Sequence, residues 1–272
     1  MTDGPFRIVT INTGKGDGPY HARLELLAEA LAALSPDVVL AQEVFEATSG
    51  AASTARRLAS SLGMASAFHA VRRKPRDVDG VRLDSWSGLA TFSRWPLREV
   101  RMRALPDDPA DGDRAVLLAA VETPRGLVRT ANTHLTHLRG RDDLRVLQAR
   151  EVLADRWWRG DALARVLAGD LNARPGHDVH ALLRSGEAGW RALDAYEAAG
   201  DPDASATIRH ASPTGVVEAR LDYVYLLGTP GIAPAARVRA ARVVLDQPVG
   251  GVMPSDHFGV LVDLEWADAS DR

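Results

Sequence analysis

The sequence predicts an α/β protein, a layered sandwich of mixed β-sheets with helices on the outside. Three observations support this: a strand–helix–strand start, a strand-rich middle, and a final third of a helix and further strands. A regular (β/α)8 barrel would need a helix between successive strands, and the middle of the chain has none. We find no Ser/Gly-rich linker, low-complexity tract or internal repeat, so we expect a single domain over residues 1–272.

Short β-prone apolar runs and helical leucine spacing locate the individual elements. The first helix carries leucines at positions 24, 27, 31 and 34, and the second is closed by a glycine. The expected helices are Tyr20–Leu34, Ala51–Leu62 and a third over 142–157. The expected strands are Phe6–Ile11, Val38–Ala41, Leu89–Phe92, Ala115–Val121, Leu127–Ala131, Ala164–Ala168, Ala219–Leu227, Ala240–Leu245 and Phe258–Leu264.

Composition excludes several classes of function. An apolar fraction of 46% and a charged fraction of 25% are typical of a soluble globular protein. A net charge of −3 argues against binding to nucleic acid through bulk electrostatics, although a local basic rim would still permit a nuclease. The absence of cysteine excludes disulfides, thiolate metal sites and a cysteine nucleophile. Neither a signal-peptide pattern nor a membrane-spanning apolar run is present, so we expect a cytoplasmic protein.

Polar side chains stand within a residue or two of the predicted strand ends, where α/β proteins build their sites. Each has an ordinary structural explanation when taken alone: a turn for Asn12, a solvated strand end for Glu43, an ion pair with Arg220 for Asp222. Together, carboxylates beside an amide and an imidazole suit metal-assisted attack on a phosphate ester. The residues are Asn12, Glu43, His134, Asp170, Asn172, Asp222, Asp256 and His257.

Seven short motifs occur in an order that resembles the endonuclease/exonuclease/phosphatase superfamily, which includes deoxyribonuclease I, exonuclease III and the apurinic endonucleases. They are Ile-Asn-Thr, Gln-Glu, Gly-Leu-Ala-Thr-Phe-Ser-Arg, Asn-Thr-His-Leu, Gly-Asp-Leu-Asn, Arg-Leu-Asp-Tyr-Val and Ser-Asp-His. The resemblance spans Ile8 to Leu264. It implies a four-layer α/β sandwich, with two central mixed β-sheets flanked by helices and a site at one edge. It also implies a metal-dependent hydrolase of phosphoric esters.

The resemblance assigns a metal to one side of this site. It makes Glu43 the principal Mg²⁺ ligand, with Asn12 beside it and Asp256 next to the metal. Oxygen ligands of this kind agree with Mg²⁺ chemistry, and Mn²⁺ is a possible substitute.

The resemblance also assigns the reacting groups. Asp170 orients or deprotonates the attacking water, and Asn172 holds that water or the phosphate. His134 donates to a phosphoryl oxygen. His257, oriented by Asp222, is a second acid/base or phosphate ligand.

Two departures from the family pattern leave parts of this assignment open. Ile11 stands before Asn12 where the family usually has an aromatic residue, and the following Thr-Gly-Lys-Gly leaves a second ligand after Asn12 undecided. His137 is a second candidate histidine, although His134 directly closes its predicted strand.

The substrate is open at this stage. The Trp-Cys-Asp-Arg signature of the inositol phosphatases is missing, and Arg-Leu-Asp-Tyr is closer to the nuclease branch. The basic segment 72–76, with Arg82 and Trp86, could hold a phosphate and stack a base, or could be a solvated loop with Trp86 in the core. The acidic loop 107–113 would repel a long polyanion if it lay nearby. We expect a phosphodiester such as a nucleic acid or a nucleotide or lipid diester; the alternative is a monoester of a small metabolite or an inositol phosphate.

Three rival hypotheses were weighed against a metal-dependent phosphoesterase. A catalytically idle scaffold of the same fold is disfavoured because no residue of the ordered set is replaced by an apolar one. A dinuclear metallohydrolase of another fold could use His134 and His137, but its Gly-Asn-His string is missing. A Ser-His-Asp hydrolase lacks its Gly-x-Ser-x-Gly turn.

Overall fold

Two six-stranded mixed β-sheets form the centre of the computed structural model, which describes residues 4–213, 215–232 and 235–267. The ends of the single domain expected over 1–272 lie outside these ranges. In chain order the elements are β1 (Phe6–Asn12), α1 (Tyr20–Leu34), β2 (Val38–Ala47), α2 (Thr54–Leu62), β3 (Ala65–Arg73), β4 (Arg76–Val78), β5 (Val81–Leu83), β6 (Ser85–Ser93), β7 (Leu97–Leu105), β8 (Arg114–Thr123), β9 (Gly126–His134), α3 (Asp142–Ala154), β10 (Ala164–Asp170), α4 (Asp178–Ser185), β11 (Arg191–Asp194), α5 (Ala195–Ala199), β12 (Ile208–Ser212), β13 (Gly215–Ala219), β14 (Asp222–Gly228), β15 (Ala236–Val244) and β16 (Gly259–Trp266).

The two sheets have similar topologies. The first has the strand order β15-β16-β1-β2-β6-β3, and the second has the order β11-β14-β10-β9-β8-β7. Near the centre of each sheet one pair is parallel, β1 with β2 and β9 with β10. The strands on either side of these pairs run antiparallel to them. The remaining strands form two small hairpins, β4–β5 and β12–β13.

The burial pattern creates four layers. Alternate residues of β1 face opposite sides, so Val9 and Ile11 pack against the leucines of α1, whereas Ile8 enters the core between the sheets. Val166 of β10 meets Ile8 in that central core. On the far side of the second sheet, α3 and α4 cover an apolar face that includes Leu118. The order helix, sheet, sheet, helix confirms the predicted four-layer sandwich.

Several predicted boundaries differ from the observed ones for local reasons. α2 begins at Thr54 because the Ser53 hydroxyl accepts a hydrogen bond from the Arg56 amide. α3 ends at Ala154, and the rest of the helix predicted over 142–157 is a 3₁₀ turn at Arg156–Arg159. β3 and β7 were missed because they are sheet edges whose residues are largely exposed or half-buried, which removes the apolar alternation.

In the described ranges, no helix combines the length and apolarity needed to cross a bilayer.

His180 of α4 is a buried histidine outside the strand-end cluster. Its Nδ1 lies 2.7 Å from the Tyr225 hydroxyl and its Nε2 lies 3.3 Å from the Ala173 carbonyl oxygen. Burial lowers the pKa of His180 to about 4. Between this pKa and that of an unfolded histidine, the unfolded chain binds a proton that the folded chain does not.

The free energy of unfolding should therefore fall as the pH drops from 6.5 towards 4, with His180 contributing ~3 kcal/mol of the loss. Urea unfolding at several pH values measures this slope, and His180→Gln should flatten it. His210→Gln, at an exposed histidine, is the matched control. Equal slopes in the wild type and His180→Gln would contradict the prediction.

Candidate active site

The strand ends at one edge of the two sheets converge on a cavity of about 250 Å³. β1, β9 and β10 bring their last residues to this edge, whereas the antiparallel β14 begins there. Register places Asp170 opposite His134 on one side and opposite Asp222 on the other. Seven of the eight strand-end residues line the cavity, and Asp222 lies behind them: the lining set is Asn12, Glu43, His134, Asp170, Asn172, Asp256 and His257.

Asp170 is the most enclosed carboxylate of this cavity. Its Oδ2 accepts a hydrogen bond of 3.0 Å from the Asn12 amide, and its Oδ1 accepts one of 2.8 Å from the Asn172 backbone. Burial, followed by the charge of Asp222, raises the pKa of Asp170 to about 7. A carboxylate with this pKa can accept a proton from water near neutral pH.

His257 and Asp222 form a buried pair beside Asp170. His257 Nδ1 lies 2.8 Å from Asp222 Oδ2, and His257 Nε2 lies 3.8 Å from Asp170 Oδ2. Burial by itself would lower the pKa of His257, but the carboxylates of Asp222 and Asp170 outweigh it and raise this pKa to about 10. Arg220, the partner that the sequence offered for Asp222, instead pairs with Asp194 at 2.9 Å. The imidazole is therefore held as a cation.

Asp170, Asp222 and His257 also offer ligand atoms within 4.8 Å of one another, a spacing that could hold a metal ion. We regard this trio as a proton-holding group instead. One imidazole nitrogen already faces Asp222 at hydrogen-bond distance, so within this trio Asp222 serves His257 as a hydrogen-bond partner.

His134 differs from His257 in charge. Burial, followed by the positive charges of Arg114 and Lys15, lowers its pKa well below the usual value. Its Nε2 lies 3.4 Å from Asp170 Oδ2, and its Nδ1 lies 4.0 Å from Glu43 Oε1. A neutral imidazole between two carboxylates can donate one hydrogen bond from the nitrogen that keeps its proton.

The loop after β10 needs unusual backbone geometry. Gly169 has a φ of 141°, and a Cβ there would lie 1.9 Å from the Thr133 carbonyl oxygen. Only glycine fits this close approach of β10 to β9. Asn172 has a φ of 50°, and its amide donates to the Leu135 carbonyl. The Gly-Asp-Leu-Asn motif thereby places Asp170 and Asn172 in one compact turn.

The carboxylate and amide oxygens of three further cavity residues suit a hard cation. Glu43 lies in a bulge of β2 with a φ of 52°, and its Oε1 lies 2.6 Å from the Lys15 ammonium. Asn12 Oδ1 accepts a hydrogen bond from the Gly14 amide and retains a free lone pair. Asp256 is exposed at the cavity rim. Carboxylate and amide oxygens are the donors that a divalent ion such as Mg²⁺ prefers, so the residue types present fit such an ion.

Comparison with known proteins decides the family. The family model described as the endonuclease/exonuclease/phosphatase family matches residues 9–257. The chain belongs to this family. Members are generally hydrolases of phosphoester bonds and generally depend on divalent metals. Proteins with curated descriptions include no match to this sequence.

Solved structures agree with the fold of the endonuclease/exonuclease/phosphatase family. The protein of this family from Beutenbergia cavernae DSM 12333 is 26% identical with a TM-score of 0.73, covering 98% of this chain and 72% of that one. A family protein from Leptotrichia buccalis C-1013-b is 17% identical with a TM-score of 0.73, covering 96% of this chain and 100% of that one. TDP2 from D. rerio, solved with a single-strand DNA product, is 18% identical with a TM-score of 0.70, covering 97% of this chain and 100% of that one.

The structure replaces one predicted substrate contact. Arg82 lies on the exposed β4–β5 hairpin, where it pairs with Asp77 at 2.8 Å, and it is not among the residues lining the cavity. Arg72 and Arg76 of the same basic segment line the cavity instead. The charge of the segment did not indicate which of its arginines face the cavity, because that depends on how the strand and hairpin pack. Trp86 is half-buried under Arg73, away from the cavity lining.

The sequence analysis also did not identify two basic residues that line the cavity. Lys15 and Arg114 line the cavity, and neither was predicted as a site residue. Arg114 pairs with the buried Asp111, whose carboxylate also lies 2.5 Å from His137. His137 is thus engaged at the cavity wall, whereas His134 reaches Asp170, as its position at the strand end indicated. The acidic loop 107–113 does reach the site, through Asp113.

Proposed function

We propose that this protein is a Mg²⁺-dependent phosphoesterase that hydrolyses a phosphodiester by in-line attack of an activated water. The observation that carries the proposal is the buried Asp170, with a pKa of about 7, set between His134 and the His257–Asp222 pair. Phosphoester hydrolysis needs a base for water and positive groups for the phosphoryl oxygens, and this arrangement supplies both.

Asp170 is the base in this proposal. Two hydrogen bonds, from Asn12 and from the Asn172 backbone, hold its carboxylate in one orientation. Its raised pKa lets it take a proton from water as the new bond to phosphorus forms. Asn172 lies at the cavity wall beside it and holds the water or a phosphoryl oxygen.

The two histidines act on the phosphoryl group. The His257 cation, held by Asp222, stabilises negative charge on the phosphoryl oxygens or gives its proton to the leaving oxygen. His134 is neutral and donates a hydrogen bond to a phosphoryl oxygen. Asp222 is a positioning residue, because it orients His257 from behind the cavity.

Glu43, Asn12 and Asp256 would hold the divalent cation, Mg²⁺ or Mn²⁺ as its substitute. When bound there, the cation would neutralise charge on the transferring phosphoryl group. The chain's own contribution is to keep these oxygens at the cavity wall.

The proposed substrate is a diester, with nucleic acid, a nucleotide diester or a lipid diester as the classes to test. Arg72 and Arg76 support this, since they offer positive charge beside the cavity for a further phosphate. D. rerio TDP2, a structural neighbour, was solved with a single-strand DNA product, which makes a nuclease one form of the proposal.

A monoester of a small metabolite or an inositol phosphate is the second candidate. A cavity of about 250 Å³ is small for a ligand site, which favours a small substrate. The acidic Asp113 at the wall also disfavours a long polyanion.

The test is hydrolysis of bis-p-nitrophenyl phosphate and p-nitrophenyl phosphate with Mg²⁺, with Mn²⁺ and with EDTA. We expect turnover that EDTA abolishes and added metal restores, with faster hydrolysis of the diester. Preference for the monoester would select the second candidate. No detectable hydrolysis of either ester, nor then of DNA, RNA or phospholipid, would favour the idle scaffold and overturn the proposal.

A further inference from the structure

Lys15 occupies an unusual position for a lysine in this chain. The sequence contains two lysines, and nearly all its other positive charge is arginine. The Lys15 ammonium lies 2.6 Å from Glu43 Oε1, and the Lys15 side chain is 29% exposed while that of Glu43 is 13% exposed. A lysine thus neutralises the carboxylate that the proposed function gives to the metal.

The loop that carries Lys15 is held rigidly in place. Lys15 has a φ of 54°, in the left-handed region where a non-glycine residue is strained. The buried Arg23 of α1 donates through Nη2 to the carbonyls of Gly14 and Lys15, at 3.2 and 3.1 Å. A Cβ on Gly14 would lie 2.6 Å from Asp256 Oδ1, so the loop is also packed against the cavity rim. This packing aims Lys15 at the cavity.

We propose that Lys15 and the divalent cation compete for Glu43, and that the phosphoryl group of the substrate binds Lys15 when the cation displaces it. This inference rests on the proposed function, because it takes Glu43 as the metal ligand. Through this competition, Lys15 would couple metal binding to substrate binding in the same cavity.

Electrostatics gives the direction of this coupling. A cation arriving at Glu43 loses the benefit of a carboxylate that is already paired, and it meets a like charge a few ångströms away. A phosphoryl group in the cavity offers the ammonium another anionic partner and removes this penalty. Substrate binding must then tighten cation binding, and the cation must tighten substrate binding by the same factor.

The test measures Mn²⁺ binding from the free-ion electron paramagnetic resonance signal, with and without inorganic phosphate. Lys15→Met should lower the dissociation constant for Mn²⁺ at least tenfold without phosphate and should reduce the tightening that phosphate produces. Lys15→Arg, which keeps the charge, should stay near the wild type. Lys74→Met, at the exposed second lysine, is the matched control and should change nothing.

Glu43→Gln separates the two levels of the proposal. If Glu43→Gln abolishes Mn²⁺ binding while Lys15→Met binds Mn²⁺ as weakly as the wild type, the competition is overturned and the proposed function stands. If neither the wild type nor Lys15→Met binds Mn²⁺, both are overturned. Thermal melting of every variant checks that it is folded, and Lys15→Gln provides a second neutral variant should Lys15→Met not fold.

Discussion

Asp170→Asn is expected to lower the turnover number of the proposed phosphoesterase by roughly 10²- to 10⁴-fold, while the melting temperature at pH 8 rises or stays the same. The loss follows because the amide that replaces the carboxylate cannot take a proton from water. The gain in stability follows because a carboxyl group whose pKa is raised in the folded state costs free energy when it is ionised there.

The sign of the stability effect follows from linkage. Between the pKa of an unfolded aspartate and about 7, the unfolded chain has lost the Asp170 proton while the folded chain keeps it; above about 7 the folded chain holds the Asp170 charge buried beside that of Asp222. Asp170 therefore lowers the free energy of unfolding as the pH rises towards 7, this cost stays constant above 7, and removing the charge relieves it. Loss of activity together with retained or increased stability would distinguish a reacting group from a structural one.

Steady-state kinetics on bis-p-nitrophenyl phosphate and thermal melting together check this prediction. Asp77→Asn is the matched control, because Asp77 is an exposed carboxylate on the β4–β5 hairpin. It should leave the turnover number unchanged. A turnover number for Asp170→Asn within tenfold of the wild type would remove Asp170 from the role of base.

Asp222→Asn is expected to move the alkaline limb of the pH–rate profile to lower pH, and His257→Gln to lower the turnover number by roughly 10²- to 10⁴-fold. His257 is proposed to act in its protonated form, so activity should fall as the pH rises through its pKa. In the wild type this pKa is about 10, raised against the effect of burial by Asp222 and Asp170. Without the Asp222 charge, less opposes the effect of burial, so the pKa of His257 falls.

The pH dependence of kcat/KM measures this shift, because it reports the free enzyme. Asp194→Asn is the matched control: Asp194 is also a buried aspartate, but its carboxylate pairs with Arg220. It should lower the melting temperature and leave the alkaline limb in place. An unchanged limb in Asp222→Asn would mean that Asp222 does not set the charge of His257.

Local signals in the sequence were sufficient for much of the architecture. The leucine spacing of α1 predicted Tyr20–Leu34, and the helix has these bounds. Apolar runs located β1, β8, β9, β10 and β16 to within a few residues. Helical and strand periods are properties of ten or so neighbouring residues, so they can be read without tertiary contacts.

The same signals located most of the residues that line the cavity, but they did not predict which of these side chains contact each other. Seven strand-end residues proved to line one cavity, because the ends of neighbouring strands meet at one edge of a sheet. The partner of Asp222 was uncertain between Arg220, two residues away, and His257, 35 residues away, and the fold brings His257 to it. Sequence proximity favoured the wrong neighbour, because Arg220 lies in the loop before β14, where it pairs with Asp194 instead.

The sequence by itself determined the elements, the family motifs and the set of strand-end residues, because these depend on local period and residue type. Only the tertiary structure decided that Arg72 and Arg76, and not Arg82, line the cavity, and that Lys15 contacts Glu43. It alone also set the opposite charge states of His134 and His257, whose pKa values depend on burial and on carboxylates from distant strands. Distance and desolvation arise from packing, and a linear pattern of residues does not contain them.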